Sequence, residues 1–388
     1  MGDTTEKFDR SLPRVNVVVL GHADHGKTTL TAAMSRVCSE VSGSTRVNLA
    51  GMKATPVKGA SGVSFKAVQM EYNSNVRHYA HTDFPKHNDC VKGLLGGERI
   101  DGAILVVSVA DGPMPETREH LRLARQAGIP YIVVFLSKMD TVDEGELPEL
   151  VETEVRNLLA TSGYAGDDNP VIAGSATMAL NGEDDGERGS SAVKKLLDAL
   201  DAYVPGPARA VDQPLLMTVA EVGTADGGTA VTGRIERGQL GANDALEIVG
   251  LRETQRATCV SVTTSGQHVT AVLKGAEPLD VQQGQVLIKP GSVKPHTMFT
   301  GEVYILAADE GGPATPFTNG YRTQFTFHTA EIQGSCELPE GIEKARPGDN
   351  LQLRVTLDTA VALEDGLRFT MREGGKTTGI GAVAQSIE

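Results

Sequence analysis

Apolar positions in the first half of the chain fall into short runs separated by amphipathic stretches. Val15–Leu20 (VNVVVL), Gly102–Val109 (GAILVVSV) and Tyr131–Leu136 (YIVVFL) have the length of strands. Their near-continuous apolar character fits strands covered on both faces of a parallel sheet. Arg77–Thr82 and Pro170–Ala173 read as two further strands. Between them lie helical stretches: Thr28 to about Val41, Pro115–Gln126 with proline at its first turn, and about Ser191–Val204. Leu147, Leu150, Val151, Val155, Leu158 and Leu159 recur at helical spacing and add another. Repeated strand–helix units predict an α/β domain, a parallel sheet with helices on both faces.

The pattern changes after Val204. Pro205-Gly206-Pro207 opens a linker that runs to about Asp212. Short β-like runs punctuated by Gly, Pro, Asn and Asp follow: Leu215–Val222, Thr229–Glu236, Ala245–Val249, Ala257–Thr263 and Gln285–Lys289. They predict a small antiparallel β-barrel. A second crossing, Lys289–Pro295, leads to Phe299–Leu306, Gln324–Phe327, Asn350–Leu357 and Arg368–Arg372, read as a second antiparallel barrel. The predicted domains are therefore 1–205, 212–289 and 290–388. The chain carries no internal repeat and no low-complexity tract.

Composition changes the picture only modestly. The 388 residues are 40% hydrophobic and 22% charged, enough for sizeable cores. A net charge of −14 excludes nonspecific nucleic-acid binding through the overall field, so any RNA contact needs a local basic patch. The scarcity of aromatics, 4% with no Trp, argues against a base-stacking or carbohydrate-type surface. Cys38, Cys90, Cys259 and Cys336 are scattered and form no CxxC pair. The N-terminal MGDTTEKFDRSLPR has no apolar signal core, and no apolar run approaches a membrane span. These features predict a reduced, cytoplasmic compartment with free structural thiols and no membrane contact. The start MGDTTE touches the myristoylation pattern only through Thr5, near the required slot, and is set aside.

The strongest local signal is Gly21-His22-Ala23-Asp24-His25-Gly26-Lys27-Thr28. It matches GxxxxGK[ST] between a predicted strand and a predicted helix, the context that gives the motif its meaning. Its backbone amides and the following helix N-terminus favour phosphate. Lys27 is expected to reach the β- and γ-phosphates and Thr28 to ligate Mg²⁺. Asp83 ends a strand, where a carboxylate holds Mg²⁺ directly or through water; taken alone it would read as a turn residue. Ser137-Lys138-Met139-Asp140 closes a buried strand. A carboxylate there accepts two hydrogen bonds that guanine offers and adenine does not. Lys138 would pack over the base, and the backbone of Gly174-Ser175-Ala176 would meet guanine O6. SKMD is weak alone; in order after the phosphate loop it predicts a guanine-nucleotide domain.

These segments, with RHYAHTD, DGAILVVSVADGPMPETREH, IPYIVVFLSKMD, TAVTGRIERG, KPHTMF, TPFTNGYR and GLRFTMREGGKTTGIGAV, resemble the bacterial elongation factor Tu family over essentially the whole chain. The resemblance implies a GTP-binding domain followed by two β-barrels. It implies GTP- and Mg²⁺-dependent binding of aminoacyl-tRNA by a monomer, hydrolysis to GDP triggered by the ribosome, and recycling by a nucleotide-exchange factor. Gly21, Asp24, His25, Gly26, Lys27, Thr28 and Thr29 match the phosphate loop. Asp83, Pro85 and His87 match the second switch, His87 being the histidine that orients the attacking water. Lys138, Asp140, Ser175 and Ala176 match the guanine pocket, and Arg372–Thr377 match a stretch beside the tRNA stem.

The departures are equally specific. The family's D-C-P-G-H is here Asp83-Phe84-Pro85-Lys86-His87, so the glycine whose amide meets the γ-phosphate is replaced by Lys86, which restricts the backbone and brings an ammonium toward the phosphates. The family's R-G-I-T-I aligns with Ser61-Gly62-Val63-Ser64-Phe65; Ser64 keeps a hydroxyl for Mg²⁺. Val63 and Ala23 are smaller than the apolar pair that shields the water-orienting histidine. Ser137 replaces an asparagine whose amide braces the guanine site. Val262–Gly266 lacks the glutamate and arginine of the aminoacyl-adenosine pocket, Gln69 stands at a histidine position, and Gln283 at an arginine near the tRNA 5′ end.

His22, His78, His81 and His120 show no metal-type sequence spacing and read as packing or surface groups. Cys90 reads as a buried inert thiol, the acidic stretch Asp143–Glu154 as a solvated helix face, and Glu183–Glu187 as a solvated loop. Arg234-Ile235-Glu236-Arg237 reads equally as an RNA contact or the polar face of a strand. Two functions follow: a working delivery GTPase, or a diverged paralogue that binds guanine nucleotide, switches or hydrolyses poorly, and serves as a regulatory, resistance or interaction protein.

Overall fold

The computed structural model describes residues 12–43, 46–59, 63–142, 145–205, 213–226, 228–265, 268–310, 312–313 and 315–387. The N-terminal pattern, most of the linker 205–212, Ser61, Gly62, part of the acidic stretch at 143–144, and Gly266 lie outside them. By internal contacts the chain divides into two units, Met1–Pro207 and Ala208–Glu388.

The first unit is built on β1 (Arg14–Leu20), α1 (Lys27–Ser42), β2 (Thr55–Lys58), β3 (Ser64–Asn73), β4 (His78–Asp83), α2 (His87–Gly96), β5 (Gly102–Ser108), α3 (Pro115–Gln126), β6 (Ile132–Ser137), α4 (Leu147–Thr161), β7 (Val171–Ala173), α5 (Ala176–Asn181) and α6 (Ser190–Tyr203). The strands form one sheet in the order β2-β3-β4-β1-β5-β6-β7. β4, β1, β5, β6 and β7 are parallel, as the apolar runs predict. The far edge is different: β3 runs antiparallel to β4, and β2 antiparallel to β3. The predicted parallel sheet thus carries an added antiparallel edge. The missed signal is in β3, where Phe65 and Ala67 are buried while Ser64 and Lys66 are exposed, the alternation of a one-sided strand. One face of the sheet packs Val15, Val17, Val19, Ile104, Val106, Val133 and Phe135 against Leu30, Met34 and Val37 of α1 and Val193, Leu196 and Leu200 of α6.

The second unit holds two closed barrels. The first comprises β8 (Leu216–Ala225), β9 (Gly228–Arg237), β10 (Ala245–Gly250), β11 (Arg252–Ser265), β12 (His268–Lys274) and β13 (Val286–Ile288), ordered β10-β11-β12-β9-β8-β13. The second comprises β14 (Lys294–Ile305), β15 (Tyr321–Phe327), β16 (Ala330–Glu337), β17 (Asn350–Leu363), β18 (Arg368–Glu373) and β19 (Lys376–Ile387), ordered β14-β17-β16-β15-β18-β19. The sequence pattern missed β12, β16 and β19, whose apolar faces are thinned by Thr, Ser, Gln and Gly. Phe299, Phe325, Phe327 and Phe369 fill the second barrel.

The barrels are joined through an apolar cluster of Leu216, Val249, Val286, Ile288, Val293 and Ala362. Arg237 adds a two-pronged pair to Glu364, at 2.5 and 2.8 Å. The Thr329 hydroxyl donates to the Val219 carbonyl at 2.8 Å. Arg237 is therefore a strut between barrels, whereas Arg234 is exposed beside Glu236.

Candidate nucleotide site

The phosphate loop leaves the C-terminal end of β1 and enters α1 at Lys27. Gly21 has φ +134°, and a Cβ there would come within 2.2 Å of the Val106 carbonyl oxygen on β5, so only glycine permits the exit. Asp24, exposed, takes the left-handed conformation at φ 61°, and Gly26 follows at φ 93° as the N-cap of α1. The Lys27 ammonium donates to the Gly21 and His22 carbonyls at 2.9 and 2.8 Å, closing the loop on itself. Thr29 lies half-buried in the first turn of α1.

His25 is buried and supports the loop. Its Nδ1 accepts the Ser108 amide at 3.3 Å, and its carbonyl accepts the Ser137 hydroxyl at 2.6 Å. Burial, then the neighbouring His22, holds its imidazole below the ordinary range and hence neutral. Ser137, in place of the family's asparagine, braces the phosphate loop through its hydroxyl.

The Thr28 hydroxyl donates to Asp83 Oδ2 at 2.7 Å. Asp83 is 1% exposed, and its Oδ1 has no hydrogen-bond partner among the described residues. Burial pushes its carboxyl up, opposed by the Thr28 hydroxyl and the Lys27 ammonium. A buried carboxylate oxygen left over beside a threonine hydroxyl is the donor set of a hard cation such as Mg²⁺, and these two residues fit one. Ser64 is exposed at the start of β3, opposite Lys58.

The base-side loops lie at the ends of β6 and β7. Lys138 sits at φ 63°, its ammonium 3.3 Å from Asp111. Asp140 is exposed, and the Met139 amide donates to the Gly174 carbonyl at 3.3 Å, tying the two loops together. Ser175 caps α5, its hydroxyl accepting the Met178 amide, and buried Ala176 begins that helix.

Lys86 is exposed as the N-cap of α2, in an extended conformation (φ −135°, ψ 152°) that any residue adopts. His87, the first residue of α2, leans on α3. Its Nδ1 lies 3.1 Å from His120 Nε2, and its Nε2 lies 3.4 Å from Glu119. The Glu119 carboxylate raises the His87 imidazole above its ordinary value. His120 is buried, and its Nδ1 accepts the Gly21 amide at 3.3 Å. Burial, then His87, pushes it down to about 4. Glu116 contacts His22 at 2.5 Å and accepts the Ala23 amide at 3.1 Å. Sequence reasoning gave His120 and Glu116 no role at the loop. The helical spacing of Glu116, Glu119 and His120 was the available signal that they share a face. Cys90 is buried and its thiol is pushed up by that burial, as an inert thiol requires. In the second unit, Arg372 lies 3.3 Å from Glu331 and donates to the Gly375 carbonyl.

A glycine-rich loop between a buried strand and a helix, with a lysine folded over it and a threonine–aspartate pair beside it, defines a P-loop nucleotide-binding domain. Joined to two closed barrels, it has the architecture of a translational GTPase. The model of the elongation factor Tu GTP-binding domain matches residues 12–206, and that of the elongation factor Tu C-terminal domain matches residues 292–387. The chain belongs to the elongation factor Tu family of translational GTPases. Among the described residues no helix is long and apolar enough to cross a membrane.

Proposed function

We propose that this GTPase delivers aminoacyl-tRNA to the ribosome in its GTP·Mg²⁺ form. The observation that carries the reading is the set of Lys27, Thr28, Asp83 and the tied loops of Lys138 and Ser175 around one end of the sheet. Lys27 and the loop amides hold the phosphates. Thr28 and Asp83 hold Mg²⁺, with Ser64 joining from the first switch. When bound, the ion neutralises charge on the transferring phosphoryl group. Asp140 reads the base, Lys138 covers it, and the Ser175–Ala176 backbone meets it. His87 orients the attacking water. Residues 1–205, 212–289 and 290–388 act as the three domains of a monomer that works in the cytoplasm with a nucleotide-exchange factor. The test is protection of aminoacyl-tRNA from spontaneous hydrolysis. GTP-dependent protection supports the reading, and equal hydrolysis with GTP, with GDP or without protein refutes it.

A second reading, a nucleotide-binding paralogue with impaired switching, draws on two observations. His87 is engaged by α3 through His120 and Glu119, and Lys86 replaces the glycine before it. Ribosome-stimulated hydrolysis compared between the wild type and Lys86→Gly separates the two. Strong stimulation of the wild type removes the second reading.

A further inference from the structure

We propose that His87, Glu116 and His120 form a binding site for a transition-metal ion of the zinc class. His87 Nδ1 and His120 Nε2 are 3.1 Å apart, and Glu116 Oε1 lies 3.7 and 3.9 Å from them. A point in the plane of these atoms lies about 2.1 Å from each, the length of a zinc–imidazole or zinc–carboxylate bond. The ligands therefore stand at coordinating separation before any ion arrives.

Two elements supply them. Glu116 and His120 are four residues apart on one face of α3, and His87 opens α2. Two imidazoles and one carboxylate suit Zn²⁺ or Co²⁺, whereas Mg²⁺ prefers an octahedral shell of oxygens. His87 is 31% exposed, which leaves solvent to fill the fourth position. Its other nitrogen faces Glu119 Oε1 at 3.4 Å, the outer carboxylate contact that orients a metal-bound imidazole. The remaining Glu116 oxygen stays with His22 and the Ala23 amide, which fixes the carboxylate's rotation.

The metal-free arrangement competes with the ion. His120 Nδ1 accepts the Gly21 amide, so Nε2 carries the proton and donates it to His87. A metal on Nε2 moves that proton to Nδ1, where it faces the Gly21 N–H. Loading therefore breaks the bond between His120 and the phosphate loop. Metal and nucleotide become linked through Gly21, each altering the other's affinity by the same factor. A captured His87 is also lost to the water, and that consequence alone rests on the function proposed above.

The test is titration of the full chain, loaded with Mg²⁺ and GDP, with Co²⁺ and with Zn²⁺ against a chromophoric chelator. The expected result is one equivalent of metal with the intense visible bands of four-coordinate cobalt. His120→Ala and Glu116→Gln each weaken binding at least about tenfold. Glu116→Gln is nearly isosteric and carries the test where His120→Ala does not fold. The same titration on nucleotide-free protein reads the metal site without reference to nucleotide. Only the weak bands of six-coordinate cobalt, or unchanged affinity in a folded Glu116→Gln protein, overturns the proposal.

Discussion

Acidification should destabilise the first unit through His81, a residue outside the nucleotide site. His81 is 1% exposed on β4, between the Tyr72 hydroxyl at 3.1 Å from Nδ1 and the Thr31 hydroxyl at 3.1 Å from Nε2. Thr31 in turn donates to the Lys27 carbonyl at 3.0 Å. The directions are then fixed: Tyr72 O–H donates to Nδ1, Nε2–H donates to Thr31, and Thr31 donates onward. This chain satisfies a neutral imidazole; a second ring proton on Nδ1 would force the Tyr72 hydroxyl to turn and give up its own acceptor. Burial lowers its pKa from 6.5 to about 3. The unfolded chain takes up a proton that the folded chain refuses. The stabilisation is therefore complete above the unfolded value and is lost as pH falls from about 6.5 toward about 3. Between about pH 7 and pH 5 the loss from this one group is about 2 kcal/mol, at 1.36 kcal/mol per pKa unit. His81→Gln lowers stability at neutral pH but removes the titration. Hydrogen exchange of β1 and β4 peptides in urea, corrected for intrinsic rates, measures both proteins within this unit. A wild type and variant whose stabilities fall in parallel over that interval would refute the reasoning.

Four further outcomes are expected. Lys27→Ala abolishes binding of GTP and GDP by calorimetry, since it removes both the phosphate's cation and the clasp on the Gly21 and His22 carbonyls. Asp140→Asn shifts preference from guanine toward xanthine nucleotides in competition binding; unchanged selectivity removes the base-reading role. Ser137→Ala strands the His25 carbonyl and costs about 1–3 kcal/mol in thermal unfolding, with weaker GDP binding in parallel. Gly93→Ala would place a Cβ 2.2 Å from the Phe84 ring and should cost about 1–3 kcal/mol. In a double-mutant cycle Phe84→Leu recovers part of that cost, and strict additivity contradicts the packing.

The phosphate loop and the central strands were legible because their signals are local. GxxxxGK[ST] carries its own geometry, and Val15–Leu20, Gly102–Val109 and Tyr131–Leu136 are apolar because both faces of those strands are covered. The sheet edge was harder to read. In β3 the inward Phe65 and Ala67 alternate with outward Ser64 and Lys66, a shorter-range pattern than an apolar run. The strands β16 and β19 were obscured because small residues, Gly334 in the one and Gly379, Gly381 and Ala382 in the other, fill buried positions without an apolar signal. Spacing puts Glu116 and His120 on one face of α3 but does not complete their cluster. Its third member, His87, lies 33 residues from His120 and arrives through the packing of α2 on α3. No rule about neighbours along a chain reaches that far.

Two departures from the family pattern, Phe84 and Ser137, are matched by neighbouring contacts. Phe84 enters the second switch where the family has a small cysteine, and it is buried, edge-on to Phe65 with ring centroids 5.7 Å apart. Phe65 is itself the residue at the family's isoleucine position in the first switch, and the room for the Phe84 ring comes from Gly93, which has no side chain to oppose it. The Lys66 amide, next along, donates to Asp89 of α2 at 2.8 Å. A larger residue on β3, a larger one after β4 and a glycine on α2 thus form one packed unit. Ser137 works the same way on the opposite flank, its hydroxyl reaching a phosphate-loop carbonyl. Random decay would leave cavities and unpaired polar atoms at such positions, at a cost of several kcal/mol each in a buried site. Phe84 and Ser137 have partners, Phe65 and the His25 carbonyl, whereas Lys86 and Ser64 stay exposed. Two of the substituted positions therefore pack or hydrogen-bond within the region around the phosphate loop, and do not stand as isolated losses.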